Sequence, residues 1–246
     1  GGYPQVVTTY LKSREIGDCM EVLEDLLRTF TAESSRFFSN STALSIFHEV
    51  YRAMLVQMAE EKKGTGRSFL EFVTNFVKDS VKEPVSRNEV RTASAWLLYS
   101  GMIGYCDLYN NGDVTDVVAA YFTDPGIANY VSGQSTVPKA AVEGLLTETF
   151  AYAELNRLYQ ESPGKRLVKG NKPCFSVCGD YEVDFVAVDR EDQRYGIEVK
   201  TSDNPARSLK YYRDKGLVDR AVRALPGRGG HGERMDTIPI YMIGQG

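Results

Sequence analysis

The sequence contains no run of about 18 consecutive apolar residues, which excludes a helix long and apolar enough to span a membrane. Its first residues, GGYPQVV, lack both the basic start and the apolar centre of a secretory signal. Histidine is scarce, with only His48 and His231. The four cysteines, Cys19, Cys106, Cys174 and Cys178, are scattered without the paired spacing of a zinc site. A cluster of those ligand types is therefore not expected, and reduced thiols in a cytoplasmic protein are. No G-x-x-x-x-G-K-S/T stretch occurs, which excludes a P-loop nucleotide hydrolase. Internal repeats and low-complexity segments are also missing.

What is present is ordinary in bulk. The chain has 246 residues, 42% hydrophobic and 25% charged, enough for a proper core and more than one small domain. The net charge of −4 conceals an asymmetry. Residues 1–156 carry 13 Lys+Arg against 20 Asp+Glu, a balance of −7, and residues 157–246 carry 16 against 13, a balance of +3. The later part is where a polyanion such as DNA or RNA is expected to lie, although an excess of this size is also common on indifferent surfaces.

The first half reads as helical. Apolar residues recur at helical spacing over 18–30, 42–60 and 67–81, and EKKGTGRS at 61–68 is a polar connector. In 86–101 the spacing is clearest: Ser86 and Glu89 fit a capping box and Gly101 a left-handed terminator. MIGYCDLY, NNGD and VVAAYFTD then read as strand, turn and strand. Helices followed by a hairpin suggest a winged-helix-like unit, with a helical linker domain as the alternative. Asp124-Pro125-Gly126 reads as a turn.

The second half changes pattern. A long helix over 138–159, opened by Pro138, gives way to β-like KRLVKG and CFSVC. YEVDFVAVD and RYGIEVK alternate with period two. NPARSLKYYRDKG is a short helix, VDRAVRAL a strand, GRGGHGE a loop and IPIYMIG a final strand. The order is helix, three strands, helix, two strands, a mixed α+β or α/β fold.

Charges inside those strands raise a chemical question. Residues two apart on a strand face the same way, so Glu198 and Lys200 project together, opposite Ile197 and Val199. Asp184 falls on the face of Val186 and Val188, and strand pairing can bring it near Glu198. Two carboxylates this close repel unless a cation intervenes. Mg²⁺ suits them, because it takes oxygen ligands and keeps exchangeable waters. A neighbouring ammonium would orient or deprotonate an attacking water and offset charge building on a phosphate. The plain alternative is a cross-strand ion pair on a surface hairpin.

An Asp, thirteen residues, then Glu-x-Lys at the end of the next strand resembles the PD-(D/E)xK nuclease superfamily. The resemblance implies a restriction-endonuclease-like α-β-β-β-α-β core, with Asp184, Glu198 and Lys200 at the motif positions and Val183 where the motif usually has Pro. Metal ligation by Asp184, Glu198 and the Val199 carbonyl follows from it, as does a second metal or its water held by Glu148, the further acidic residue on the long helix, and assistance to the nucleophile by Lys200. Arg207, Lys210, Arg213 and Lys215 would form a basic helix edge, tracking phosphate or simply facing water.

A wider resemblance rests on GGYPQVV, YFTDPGIANYV at 121–131, EGLLTETFAYAEL at 143–155, YEVDFVAV, GIEVKTS and SLK at 208–210. These look like the C-terminal part of a bacterial and archaeal AAA-type ATPase family, in which a P-loop domain precedes a winged-helix-like region and a nuclease-like domain. CFSVC departs from that family's aromatic strand ending in Trp-Arg. The resemblance implies a helical segment over 1–40 after a missing ATPase core, a winged-helix-like region over 41–110 and the nuclease-like domain over 111–246. ATP would then belong to the missing domain. Mg²⁺-dependent cleavage of nucleic acid stands beside a non-catalytic nucleic-acid- or protein-binding module regulated by that ATPase domain, and beside a structural oligomerisation domain.

Overall fold

A computed structural model describes residues 1–34, 42–59, 68–110, 113–161, 173–188, 192–233 and 235–243. Helices α1 (Pro4–Ser13), α2 (Ile16–Ser34), α3 (Thr42–Ala59), α4 (Phe69–Ser80) and α5 (Arg87–Tyr99) come first. Strands β1 (Ile103–Asn110) and β2 (Asp113–Phe122) follow, then α6 (Pro125–Gly133) and α7 (Lys139–Glu161). The remainder runs β3 (Cys174–Cys178), β4 (Tyr181–Val188), β5 (Arg194–Val199), α8 (Arg207–Asp214), β6 (Arg220–Leu225) and β7 (Met235–Pro239). A short 3-10 turn, Ile240–Met242, closes the described chain.

Local chemistry explains the helix ends. Ser86 accepts the Glu89 N–H while the Glu89 carboxylate accepts the Ser86 N–H, the expected capping box. Gly101 stops α5 at φ 74°, a conformation that a residue with a Cβ adopts at a cost. Asp124-Pro125-Gly126 is not an isolated turn. Asp124 Oδ1 accepts the N–H groups of Gly126 and Ile127 at 2.7 and 3.1 Å, and Pro125, with no N–H to satisfy, begins α6. The final strand is also shifted. It occupies Met235–Pro239 and not 238–244, because Pro239 cannot donate to the ladder and the chain turns there. KRLVKG and most of EKKGTGRS lie outside the described residues.

Among the described residues one seven-stranded sheet has the order β2-β1-β3-β4-β5-β6-β7. Neighbours are antiparallel at β2–β1, β3–β4 and β4–β5, and parallel at β1–β3, β5–β6 and β6–β7. Among the described residues from α7 onward the order is helix, three strands, helix, two strands, as expected. The β1–β2 hairpin is a member of the sheet and not a projecting wing: Asp107, Leu108 and Tyr109 pair with Cys174, Phe175 and Ser176. The expected division at residue 110 falls at the end of β1, between the two strands of that pair.

The two sheet faces are covered differently. One packs against α3, α4, α5 and α7, with Val50, Ala53, Met54 and Leu55 of α3 fully buried. Tyr121, Tyr152 and Phe185 meet in this core, the two tyrosine rings stacked at 4.8 Å and 15°. The other face carries α8, whose Leu209 and Tyr212 pack on Val183, Val218 and Ala221. Because parallel β5 and β6 need a crossover, α8 is that connection.

Candidate functional site

Strand β5 sorts its side chains between the two faces. Ile197 and Val199 enter the core beneath α7, whereas a Cβ at Gly196 would meet Leu209 and Val218 under α8. Glu198 follows Gly196 on the α8 side and is 4% exposed. A carboxylate so deep in protein needs compensation for its lost hydration. Lys200 Nζ supplies it from 2.5 Å at Oε1, and the Leu209 N–H in the first turn of α8 points at Oε2 from 3.4 Å. The expectation that Glu198 and Lys200 project together therefore holds, and they form one ion pair.

Asp184 is placed by an irregularity. Between the pairs Ser176↔Val183 and Cys174↔Val186, β3 advances two residues and β4 three, so β4 carries a bulge. Val183 consequently packs under α8, while Phe185, two residues later, packs on Tyr121 and Tyr152 on the opposite side. Strict alternation is therefore broken between Val183 and Phe185, on either side of Asp184. Val186 and Val188 lie with Tyr109 and Cys174. The Asp184 carboxylate turns to the end of β5, where Oδ2 accepts the Val199 N–H at 2.7 Å, just past the last β4–β5 pair, Phe185↔Ile197.

Glu148 arrives from α7 and is half-buried. Its Oε2 accepts the hydroxyl of Tyr121, a fully buried residue of β2, at 3.3 Å. Burial raises the Tyr121 pKa well above the ordinary phenol value, and the charges of Glu148, Cys106 and Asp184 raise it further, so Tyr121 remains a protonated donor. Burial alone would lower the Lys200 pKa. The hydrogen bond and charge of Glu198 outweigh it, aided by Asp184 and Glu148, and the net shift is upward. Lys200 thus holds its proton more firmly than an ordinary lysine.

Asp184, Glu148, Glu198 and Lys200 therefore share one electrostatic neighbourhood where β4 and β5 part, drawn from α7, β4 and the end of β5. Among the described residues no three His, Cys, Asp or Glu side chains stand close enough to form a metal cage. The donors are nevertheless all oxygen, and Mg²⁺ commonly binds through one or two carboxylates plus water and substrate phosphate. Asp184, Glu198 and Glu148 offer donors of that kind.

The expected basic edge is uneven. Arg207, Lys210 and Lys215 are exposed, and Lys215 Nζ sits 5.8 Å from the centre of the Tyr211 ring, which itself stacks on Tyr181 at 4.1 Å. Arg213 is instead paired with Asp214 at 2.8 Å. Two residues near the acidic group were not visible from spacing. Tyr121 lies 27 positions from Glu148, and Arg223 reaches the site only through the register Glu198↔Arg223 of β5 and β6. No family model, curated protein or solved structure matches the chain.

Proposed function

We propose that this chain is a nuclease-like module of an AAA-type ATPase and hydrolyses phosphodiester bonds of nucleic acid with a divalent ion. The observation that carries the reading is the contact of Lys200 with Glu198 inside the combined field of Asp184 and Glu148. Random surface ion pairs do not draw three carboxylates from a helix and two strands towards one ammonium. The run α7-β3-β4-β5-α8-β6, with β4 antiparallel to both neighbours, supports a restriction-endonuclease-like core. The helical layer α3–α5 supports the winged-helix-like part less directly, because its hairpin belongs to the sheet.

In this reading Asp184, Glu198 and the Val199 carbonyl would hold Mg²⁺, which would neutralise the carboxylates and lower the pKa of a coordinated water. Lys200 directs its ammonium at the attacking water or a phosphate oxygen and offsets charge that grows during attack. Glu148, held by Tyr121, accepts a hydrogen bond from that water. Labelled DNA and RNA, single- and double-stranded, should be cut with Mg²⁺ or Mn²⁺, and Asp184→Asn and Lys200→Ala should each slow cutting by about 10²–10³-fold.

The engaged state of the carboxylates favours a second reading. Glu198 is held by Lys200 and Leu209, and Asp184 by Val199, as in a site kept for structure. A non-catalytic module that binds nucleic acid or protein under control of an ATPase domain would bind without cutting, and Asp184→Asn would leave that binding unchanged.

A further inference from the structure

Strand β6 brings an arginine beside the acidic group. Arg223 pairs in register with Glu198, and parallel partners point to the same side of a sheet. Ala221, two residues earlier, packs under α8 as Gly196 does on β5, which places Arg223 and Glu198 on the α8 face. Both lie near the carboxyl ends of parallel strands, where open α/β sheets receive ligands.

The guanidinium is only loosely held. Nη1 meets Asp203 Oδ1 at 2.8 Å and the Asn204 carbonyl at 3.3 Å, while Nη2 reaches Thr237 Oγ1 at 3.3 Å. Nε is buried and has no hydrogen-bond partner among the described residues. The two 3.3 Å contacts are long for hydrogen bonds. The short partner, Asp203, has a side chain 79% exposed, and ion pairs with so wet a member add little. A planar guanidinium with an orphaned donor and a replaceable carboxylate partner can offer two N–H groups to two oxygens of a tetrahedral phosphate.

We propose that Arg223 is a phosphate-binding residue of this site and that Asp203 occupies its fork until a nucleic-acid phosphodiester displaces it. The inference rests on the nucleic-acid reading above and goes beyond it by assigning a residue outside the Asp–Glu-x-Lys pattern. Asp203 and Asn204 lie in the segment joining Lys200 to α8.

The test is binding of short labelled single-stranded and duplex DNA and RNA, followed by fluorescence anisotropy over a salt series in EDTA so that nothing is cut. Arg223→Gln should weaken binding about tenfold and lower the salt slope by about one. Arg223→Lys should restore the slope but not the full affinity. Asp203→Asn should tighten binding by about two- to fivefold, and most of that gain should vanish in the Arg223→Gln background. Thermal melts identify a variant that fails to fold, and Asp203→Asn, at an exposed position, then carries the test. Unchanged affinity and slope in folded Arg223→Gln overturn this inference and leave the nucleic-acid reading standing, as does a gain from Asp203→Asn that is independent of Arg223. Failure of the unaltered chain to bind any of these strands overturns both.

Discussion

The Lys200–Glu198 pair is where stability and chemistry meet. Glu198 is buried and Lys200 keeps about a third of its side chain exposed, so the lysine shields the carboxylate from solvent without being immobilised. Replacing Lys200 by Met leaves Glu198 with the long Leu209 N–H bond and should cost roughly 1–3 kcal/mol, less than a fully buried pair because the lysine is partly wet. Adding Glu198→Gln should recover much of that loss in urea unfolding. Since the folded-state pKa of Lys200 is raised, its stabilising contribution is complete below the ordinary lysine value of about 10.5 and disappears only as pH rises through the raised value. Urea midpoints should therefore show no loss from this group between neutral pH and about pH 9. Glu-x-Lys was legible because a two-residue period is a local rule. Its burial was not, because that depends on α8 folding over the strand.

At the scale of elements, the bulge in β4 decides where Asp184 points. Alternation in the sequence does not foresee the bulge, because it is fixed by pairing with β3, a partner seven or more residues away along the chain. Capping signals fared better, since Ser86 and Glu89 act within one helical turn. Asp124 shows the limit of such reading: turn chemistry and helix-start chemistry use the same residues, and only the chain beyond Gly126 separates them. Another element-level contact fixes the start of β5. Arg194 forks Asp219 at 2.8 and 3.0 Å and donates to the Gly216 carbonyl, tying β5 to the turn before β6. The hydrogen bonds from Arg194 hold Asp219 below its ordinary pKa. A depressed carboxylate stabilises above its unfolded value and loses this as pH falls through the folded one. Asp219→Asn should then cost about 0.5–1 kcal/mol at neutral pH, with the difference from the unaltered chain shrinking below about pH 4.

For the whole molecule, a single sheet joins regions that the sequence divides. The family resemblance separates residues before and after 110, yet among the described residues β1 lies between β2 and β3, and one apolar core runs from Val6 to Ile243. Register between β1 and β3 is a long-range property, so no local pattern announces it. The full chain should unfold in one transition by far-ultraviolet and tryptophan signals, the latter reporting Trp96 against Phe47 and Phe30. Residues 113–246 alone should not reach that stability, since their β3 edge and core face are bared. Gly104 links this packing to the site: a Cβ there would run into the Tyr152 hydroxyl, and Tyr152 stacks on the Tyr121 that holds Glu148. The central claim is that acidic groups around Lys200 act as one ion-holding centre for phosphodiester chemistry. Calorimetric titration with Mn²⁺ tests it most directly: the unaltered chain should show a binding event that Asp184→Asn weakens at least about tenfold, whereas equal binding by both proteins, or none by either, would contradict the account.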